Sequence, residues 1–246
     1  MKRVVLSFIL MIIMAPQIWA QLGTPNVEAV YGGRILGITG YAKNTDSVRI
    51  FISTESANSL FYADALSNSS APGSDAFSSI PAVNADDNYG SSIRTIVAHT
   101  SSGYLFFAHN SEGLLKVDVV STSPDQVVTG FVNDFMFKGD TLIYLNANKI
   151  FLSTVDASAN VTSLVSDINP AISPGMQKVA VHPYNGSVYI FNEGNSPELK
   201  KSDDKLSELT SGSSFSSIST ASLSSSVRWK TMAIAPSGRI FLFGDD

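Results

Sequence analysis

The chain has 246 residues, no cysteine, 15% charged residues and a formal net charge of -5. That acidic balance gives no electrostatic reason to meet nucleic acid or an anionic membrane surface. Without cysteine no disulfide staples the fold, so stability has to come from burial, for which the length is sufficient.

The N-terminus reads first. Lys2 and Arg3 precede an apolar run from Val4 to Met14, and Ile18-Trp19-Ala20 stands before Gln21. This is the layout of a secretory signal peptide over residues 1–20 with cleavage after Ala20, although Ile18 departs from the small residue usual three before the cut. The run is too short to span a bilayer, and no Cys follows it to carry a lipid. Removing it leaves 226 residues and takes away two positive charges, so the net charge moves from -5 to -7. The expected product is secreted (extracellular, cell-surface or periplasmic), soluble, and not inserted in a membrane.

From there on the chain reads as strands. Ser occurs 38 times, ten of them between Ser211 and Ser226, and Val, Ile, Phe and Tyr are abundant. That composition favours β-structure with polar turns. One hairpin pattern then returns along the chain: an apolar strand, a turn carrying Gly, Asn, Asp or Ser, and a second strand with alternating apolar positions. It reads "ILGITGYAKNTDSVRIFIST" from Ile35, "TIVAHTSSGYLFFAHN" from Thr95 and "DFMFKGDTLIYLNANK" from Asp134. It returns as "VAVHPYNGSVYIFNE" from Val179 and "KTMAIAPSGRIFLFGDD" from Lys230. The second-strand anchors Val48, Leu105, Ile143, Val188 and Ile240 are 57, 38, 45 and 52 residues apart.

A third strand follows each of the first four hairpins ("SLFYADA", "LLKVDV", "KIFLSTVD", "ELKKSDD"), then a more polar fourth segment such as "SPDQVVTG" or "VTSLVSDI". Four short antiparallel strands in roughly 40–50 residues is the period of a propeller blade. The predicted fold is therefore all-β, a β-propeller over 21–246 built of four-stranded antiparallel blades. The blades fall at about 30–80, 93–130, 133–170, 177–210 and from 229 onward, four complete and one partial. A first strand such as Val179–Val181 is expected to sit buried near the axis, and the fourth at the wet outer edge. A β-sandwich is the alternative, but it leaves the recurrence unexplained. The fifth unit stops after its second strand, and residues 21–29 are too few to supply two more. The expectation is a native gene that encodes further blades, which a secretion or anchoring domain can follow.

These repeats resemble those of secreted bacterial β-propellers of the YVTN/NHL and Asp-box (BNR) types, over about residues 30–246. The "HPYNG-VYIF" hairpin is the most specific feature. "STESANSL", Ser53 to Leu60, is similar to a degraded Asp-box: Ser53 and Ser59 fit, Glu55 and Ala57 nearly fit, and Leu60 replaces the Trp. In that family the box is a structural turn between third and fourth strands, whereas here it falls between the second and third. An Asp-box resemblance also implies a sialidase as the alternative activity. That chemistry needs an arginine triad, a Tyr-Glu pair and an Asp acid; past residue 20 the arginines are Arg34, Arg49, Arg94, Arg228 and Arg239, of which Arg49, Arg94 and Arg239 lie in or beside strands at scattered repeat phases.

Other chemistry is sparse. His99 and His182 share one repeat position, at the end of a first strand before the turn, which points to a shared turn-capping role. His109 ends a second strand, and no two histidines have metal-site spacing. "NADDNYG", Asn84 to Gly90, alternates oxygen ligands like a calcium loop but lacks the glycine at the sixth place and a closing Glu. Asp203 and Asp204 read as an exposed turn. "YGGRILGITG" has four glycines but no helix after it to cradle a phosphate. There is no G-x-S-x-G. The Ser-rich stretches Ser67–Ser79 and Ser211–Ser226 depart furthest from the repeat and read as rim loops or long outer connections.

No residue is thus assigned a catalytic, metal or cofactor role, and no cofactor is expected. The reading is a non-catalytic binding module for a protein or glycan, with a glycan-active enzyme or a structural spacer as alternatives. Tyr31, Tyr41, Tyr62, Tyr89, Tyr104, Tyr184 and Trp229 are the aromatics available to stack on a ligand.

Overall fold

The computed structural model describes residues 34–55, 60–66, 77–80, 83, 93–121 and 123–245. The segment 1–20 read as a signal peptide, the acidic stretch 84–90, Tyr31, Tyr89 and most of the first Ser-rich stretch lie outside the described residues. What is described is all-β, in five antiparallel sheets that follow one another along the chain.

The first sheet contains β1 (Ile35–Ala42), β2 (Ser47–Thr54), β3 (Leu60–Leu66) and β4 (Ser78–Ser79). The second contains β5 (Ile93–Ala98), β6 (Leu105–His109), β7 (Gly113–Val117) and β8 (Asp125–Val128). The third contains β9 (Val132–Lys138), β10 (Thr141–Asn146), β11 (Lys149–Val155) and β12 (Val161–Ile168). The fourth contains β13 (Gln177–Val181), β14 (Ser187–Asn192), β15 (Glu198–Lys205) and β16 (Phe215–Ile218), and β17 (Arg228–Ile234) with β18 (Ile240–Asp245) forms a two-stranded fifth. Each four-stranded sheet is a plain meander with its strands in sequence order.

One boundary and one local assignment differ from the sequence reading. The fourth unit runs to Ile218, because Phe215–Ile218 pairs with Leu199–Ser202 as a fourth strand. Part of the second Ser-rich stretch is therefore sheet: Ser216 and Ser217 are exposed, while Phe215 and Ile218 pack against the apolar clusters on its two sides. Asp203 and Asp204 lie at the end of β15 and not in a turn. Their carboxylates accept hydrogen bonds from Ser216 Oγ (2.6 Å) and Ser213 Oγ (2.7 Å).

The core divides by strand alternation. In β6, Leu105 and Phe107 pack toward the first sheet, whereas Phe106 and Ala108 pack toward the third. In β14, Val188 and Ile190 face the third sheet and Tyr189 and Phe191 face the fifth. Four apolar clusters result, one between each consecutive pair of sheets. This explains the consecutive apolar residues at the centre of two second strands, Leu105–Ala108 and Val188–Phe191: β6 and β14 are buried on both faces throughout. The first strands alternate more, as β13 does with Lys178 and Ala180 only half-buried. In the second and fourth sheets the most buried strand is thus the second, and not the first as the sequence suggested.

Successive first strands touch: β1 meets β5, β5 meets β9, β9 meets β13, and β13 meets β17. Polar side chains lace this row. Ala98 N–H donates to Thr39 Oγ1 (3.1 Å), joining β5 to β1. Asp134 on β9 ties three strands at once, accepting from Thr95 Oγ1 on β5 (2.9 Å) and from Val179 N–H on β13 (3.0 Å). Burial pushes the Asp134 carboxyl above its ordinary range, while Lys178 and the donated hydrogen bonds pull it back.

Candidate functional site

The turns between first and second strands gather at one end of the sheets, and the shared histidine position explains how they are joined. The His99 and His182 loops close with the same backbone bonds. His99 N–H donates to Tyr104 O and His182 N–H to Ser187 O, while Gly103 and Gly186 N–H return to the carbonyls of His99 and His182. In both, Nδ1 braces the loop it belongs to. His99 Nδ1 bonds Ser102 Oγ at 2.8 Å, and His182 Nδ1 accepts from the N–H groups of Tyr184 and Asn185, each at 3.3 Å. The turn-capping role expected from the repeat position is what the side chains perform.

The far edge of each ring then reaches the next sheet's turn. His99 Nε2 lies 3.2 Å from Asp140 Oδ1 of the third sheet. His182 Nε2 sits over Gly238 of the fifth, so close that a Cβ there would come within 2.5 Å. Between the first and second sheets Tyr41 plays this part, its hydroxyl lying over Gly103.

The third sheet breaks the series. Its hairpin is shorter, with Lys138 paired to Thr141 across Gly139 and Asp140. Asp140 is turned back toward His99 and Ser101 of the second sheet. Among the described residues, no hydrogen bond or ion pair joins this turn to the 182–187 loop. A cleft of about 670 Å³ opens in its place, between Lys138 and Thr141 on one side and Pro183 to Gly186 on the other. Leu152, Val165, Val181, Leu206 and Leu209 make its floor. Tyr184 is 75% exposed and Leu164 55% exposed at its rim. Lys138 and Lys205 also line it, and no acidic side chain does. The volume lies within the roughly 300–1,000 Å³ of small-ligand and anchor sites.

The other candidates take structural places. Ser102, His99 and Asp140 have the composition of a nucleophilic relay but not its arrangement. The histidine is 1% exposed and Asp140 60%, and the serine sits on Nδ1 while also accepting from Tyr104 N–H. His109 Nδ1 accepts from Glu112 N–H at 3.2 Å and braces the next turn. Among the described residues no three His, Asp or Glu side chains are gathered as for a metal ion.

Among the described residues no arginine triad converges. Arg34 pairs with Glu55, and Arg49 makes a two-pronged pair with Asp64, both bonds 2.7 Å. Lys43 joins Asp64 at 2.7 Å, and these hydrogen bonds hold the Asp64 carboxyl at about 2. Tyr62 lies under Arg49 (5.1 Å) and Tyr104 under Lys116 (5.6 Å). Trp229 packs between the fourth and fifth sheets, its indole N–H donating to Ser224 O. Of the described aromatics among the possible ligand platforms, Tyr184 alone lines the cleft. The floor residues carry no motif. Two signals do lie in the sequence: the tight "KGD" turn, with no room for a histidine, and the adjacent Leu164 and Val165, which break the alternation of the fourth strand.

No protein-family model and no curated protein matches the chain. Solved structures are similar in fold. One is a chain of an S. cerevisiae complex of Dbp5 with Nup159, Gle1, IP6 and ADP, at 9% identity and a TM-score of 0.50, covering 85% of this chain and 60% of that one. Another is the extracellular domain of a hybrid two-component system from B. thetaiotaomicron, at 10% identity and a TM-score of 0.50, covering 87% and 28%. This chain therefore spans less than two thirds of either structure, and at such identity the likeness concerns the fold alone.

Proposed function

We propose that this chain is a secreted or cell-surface β-propeller module that binds a protein segment without catalysing a reaction on it. The radial arrangement is supported by the sequential four-stranded meanders and by the row of first strands in contact. Export is supported by the charged, apolar and small-residue order of the first twenty residues.

One observation carries the function: where the turn-to-turn brace is missing, an apolar-floored cleft stands open under an exposed tyrosine and between two lysines. Such a site takes an apolar side chain as an anchor, lets Tyr184 cover it, and favours acidic residues beside it through Lys138 and Lys205. The test is selection of a displayed random-peptide library on the mature chain. The expected result is a consensus with one large apolar residue flanked by Asp or Glu, whose binding falls at least about tenfold in Tyr184→Ala, as for an interface anchor. A library that yields no enriched peptide, or peptides indifferent to Tyr184, contradicts the reading.

A further inference from the structure

The cleft at the unbraced junction is longer than one anchor needs. Its third-sheet wall runs from Thr141 on β10, across Leu152 on β11, to Leu164 and Val165 on β12. Neighbouring strands are about 4.8 Å apart, so the inner and outer ends of this wall are separated by about 10 Å. A β-bulge builds the outer end. Leu152 pairs with Val165 and Ser153 with Ser163, which leaves Leu164 as an extra residue with no partner on β11. The alternation breaks there, and two consecutive apolar residues line the cleft. Leu206 and Leu209, just past β15, flank this outer part from the fourth sheet, while Val181 and Tyr184 line the inner end.

The main chain of the walls is already engaged. On the fourth-sheet side, Tyr184 and Asn185 N–H donate to His182 Nδ1, Gly186 N–H to His182 O, Leu206 N–H to Gly186 O and Leu209 N–H to Leu206 O. Pro183 has no N–H to give. On the other side, the register of β12 is interrupted twice, at Leu164 and again between Val165 and Ile168, where Asp167 is at φ +61. A chain that adds to a sheet edge needs an unbroken row of donors and acceptors. This cleft offers side chains instead, so a segment that enters it has to satisfy its own backbone, which an α-helix does. The spacing agrees. Residues i and i+7 of a helix share a face about 10 Å apart, whereas same-face residues of an extended strand are about 7 or 13 Å apart. The rim charges are unequal: Lys205 has Glu208 at 3.8 Å, while among the described residues Lys138 has no ion-pair partner.

We infer that the partner segment enters this cleft as an amphipathic helix, with apolar residues i and i+7 in its inner and outer ends and an acidic side chain beside Lys138. The inference rests on the anchor reading above and adds the partner's conformation, its second anchor and the place of its charge.

The test takes the peptides enriched from the unconstrained displayed library and titrates them against the whole mature chain. The expected result is amide–amide nuclear Overhauser contacts of a helix in the bound peptide, and binding at least about tenfold weaker when proline is placed midway between the anchors. Leu164→Ser should weaken binding at least about tenfold, and that loss should vanish for a peptide whose residue i+7 is alanine. Leu164 is 55% exposed, so its replacement leaves the fold intact, which a thermal melt checks. Lys138→Gln should flatten the salt dependence of binding. A peptide that needs Tyr184 but binds extended, tolerates the proline or ignores Leu164→Ser overturns the helix and leaves the anchor reading standing. No enriched peptide, or peptides indifferent to Tyr184→Ala, overturns both.

Discussion

Asp134 is the most exacting place to perturb the array, because one carboxylate joins three first strands. In Asp134→Ala the N–H of Val179 loses its acceptor in a buried position, and Thr95 Oγ1 loses a partner at 2.9 Å. A hydrogen bond to a charged group contributes about 1.5–3 kcal/mol and an unsatisfied buried N–H costs about 1–3 kcal/mol. The Thr95 hydroxyl can rotate to another partner, which lowers the total. Removing the carboxylate also relieves its desolvation, the largest influence on its pKa. The net loss should be about 2–4 kcal/mol. Asp134→Asn keeps an oxygen for Val179 and an amide to meet Thr95, and should cost about 1 kcal/mol or less.

The pH dependence gives an independent sign. The native carboxyl titrates above its ordinary 3.8, so between that value and its raised one the folded state holds a proton that the unfolded chain has released. Stability from this group therefore falls as pH rises through that window, and Asp134→Asn removes that component. Urea unfolding of the three proteins across pH 3–7 measures both effects. An alanine variant within about 0.5 kcal/mol of the parent, the range of ordinary surface changes, would refute the role assigned to this side chain.

Three further expectations rest on separate features. Gly238→Ala should lower stability by at least about 1–2 kcal/mol, since the residue is at φ +83 and its Cβ would meet the His182 ring; the same variant combined with His182→Ala should recover the part due to the clash, read by thermal melting. Asp64→Asn should cost about 1 kcal/mol at pH 7, because the Arg49 and Lys43 pairs are partly exposed and screened. The stabilisation from Asp64 is present above 3.8 and is lost as pH falls toward about 2, which acid titration of the parent and variant would display. Phe107→Ala empties the cluster between the first and second sheets and should cost about 3–5 kcal/mol in urea unfolding.

The elements were legible because alternation and turn chemistry are local. "VAVHPYNGSVYIF" states its strands and its turn within thirteen residues, and the structure places them at Gln177–Val181 and Ser187–Asn192. The equivalence of His99 and His182 was legible for the same reason. The fourth strand Phe215–Ile218 was hidden because its edge position lets serine fill the outward places, so composition looked like a loop. The cleft was illegible in another way. Its floor joins β11 and β12 to residues 206–209, some forty residues further along, and it exists because one turn is too short to carry the brace its neighbours have. Asp203 and Asp204 were misplaced because charged pairs usually mark turns, whereas here serines on the neighbouring segment satisfy them within the strand.

The central claim is that the unbraced junction of third and fourth sheets is where a partner's apolar side chain enters. The most direct measurement is a photo-crosslinking diazirine placed at the apolar anchor of a selected peptide, followed by mapping of the adduct by mass spectrometry. The account expects the label on the cleft walls, at Tyr184, Leu164 or the 206–209 segment. A label concentrated on the braced turns around Gly103 or Gly238, with the cleft unmarked, would contradict it.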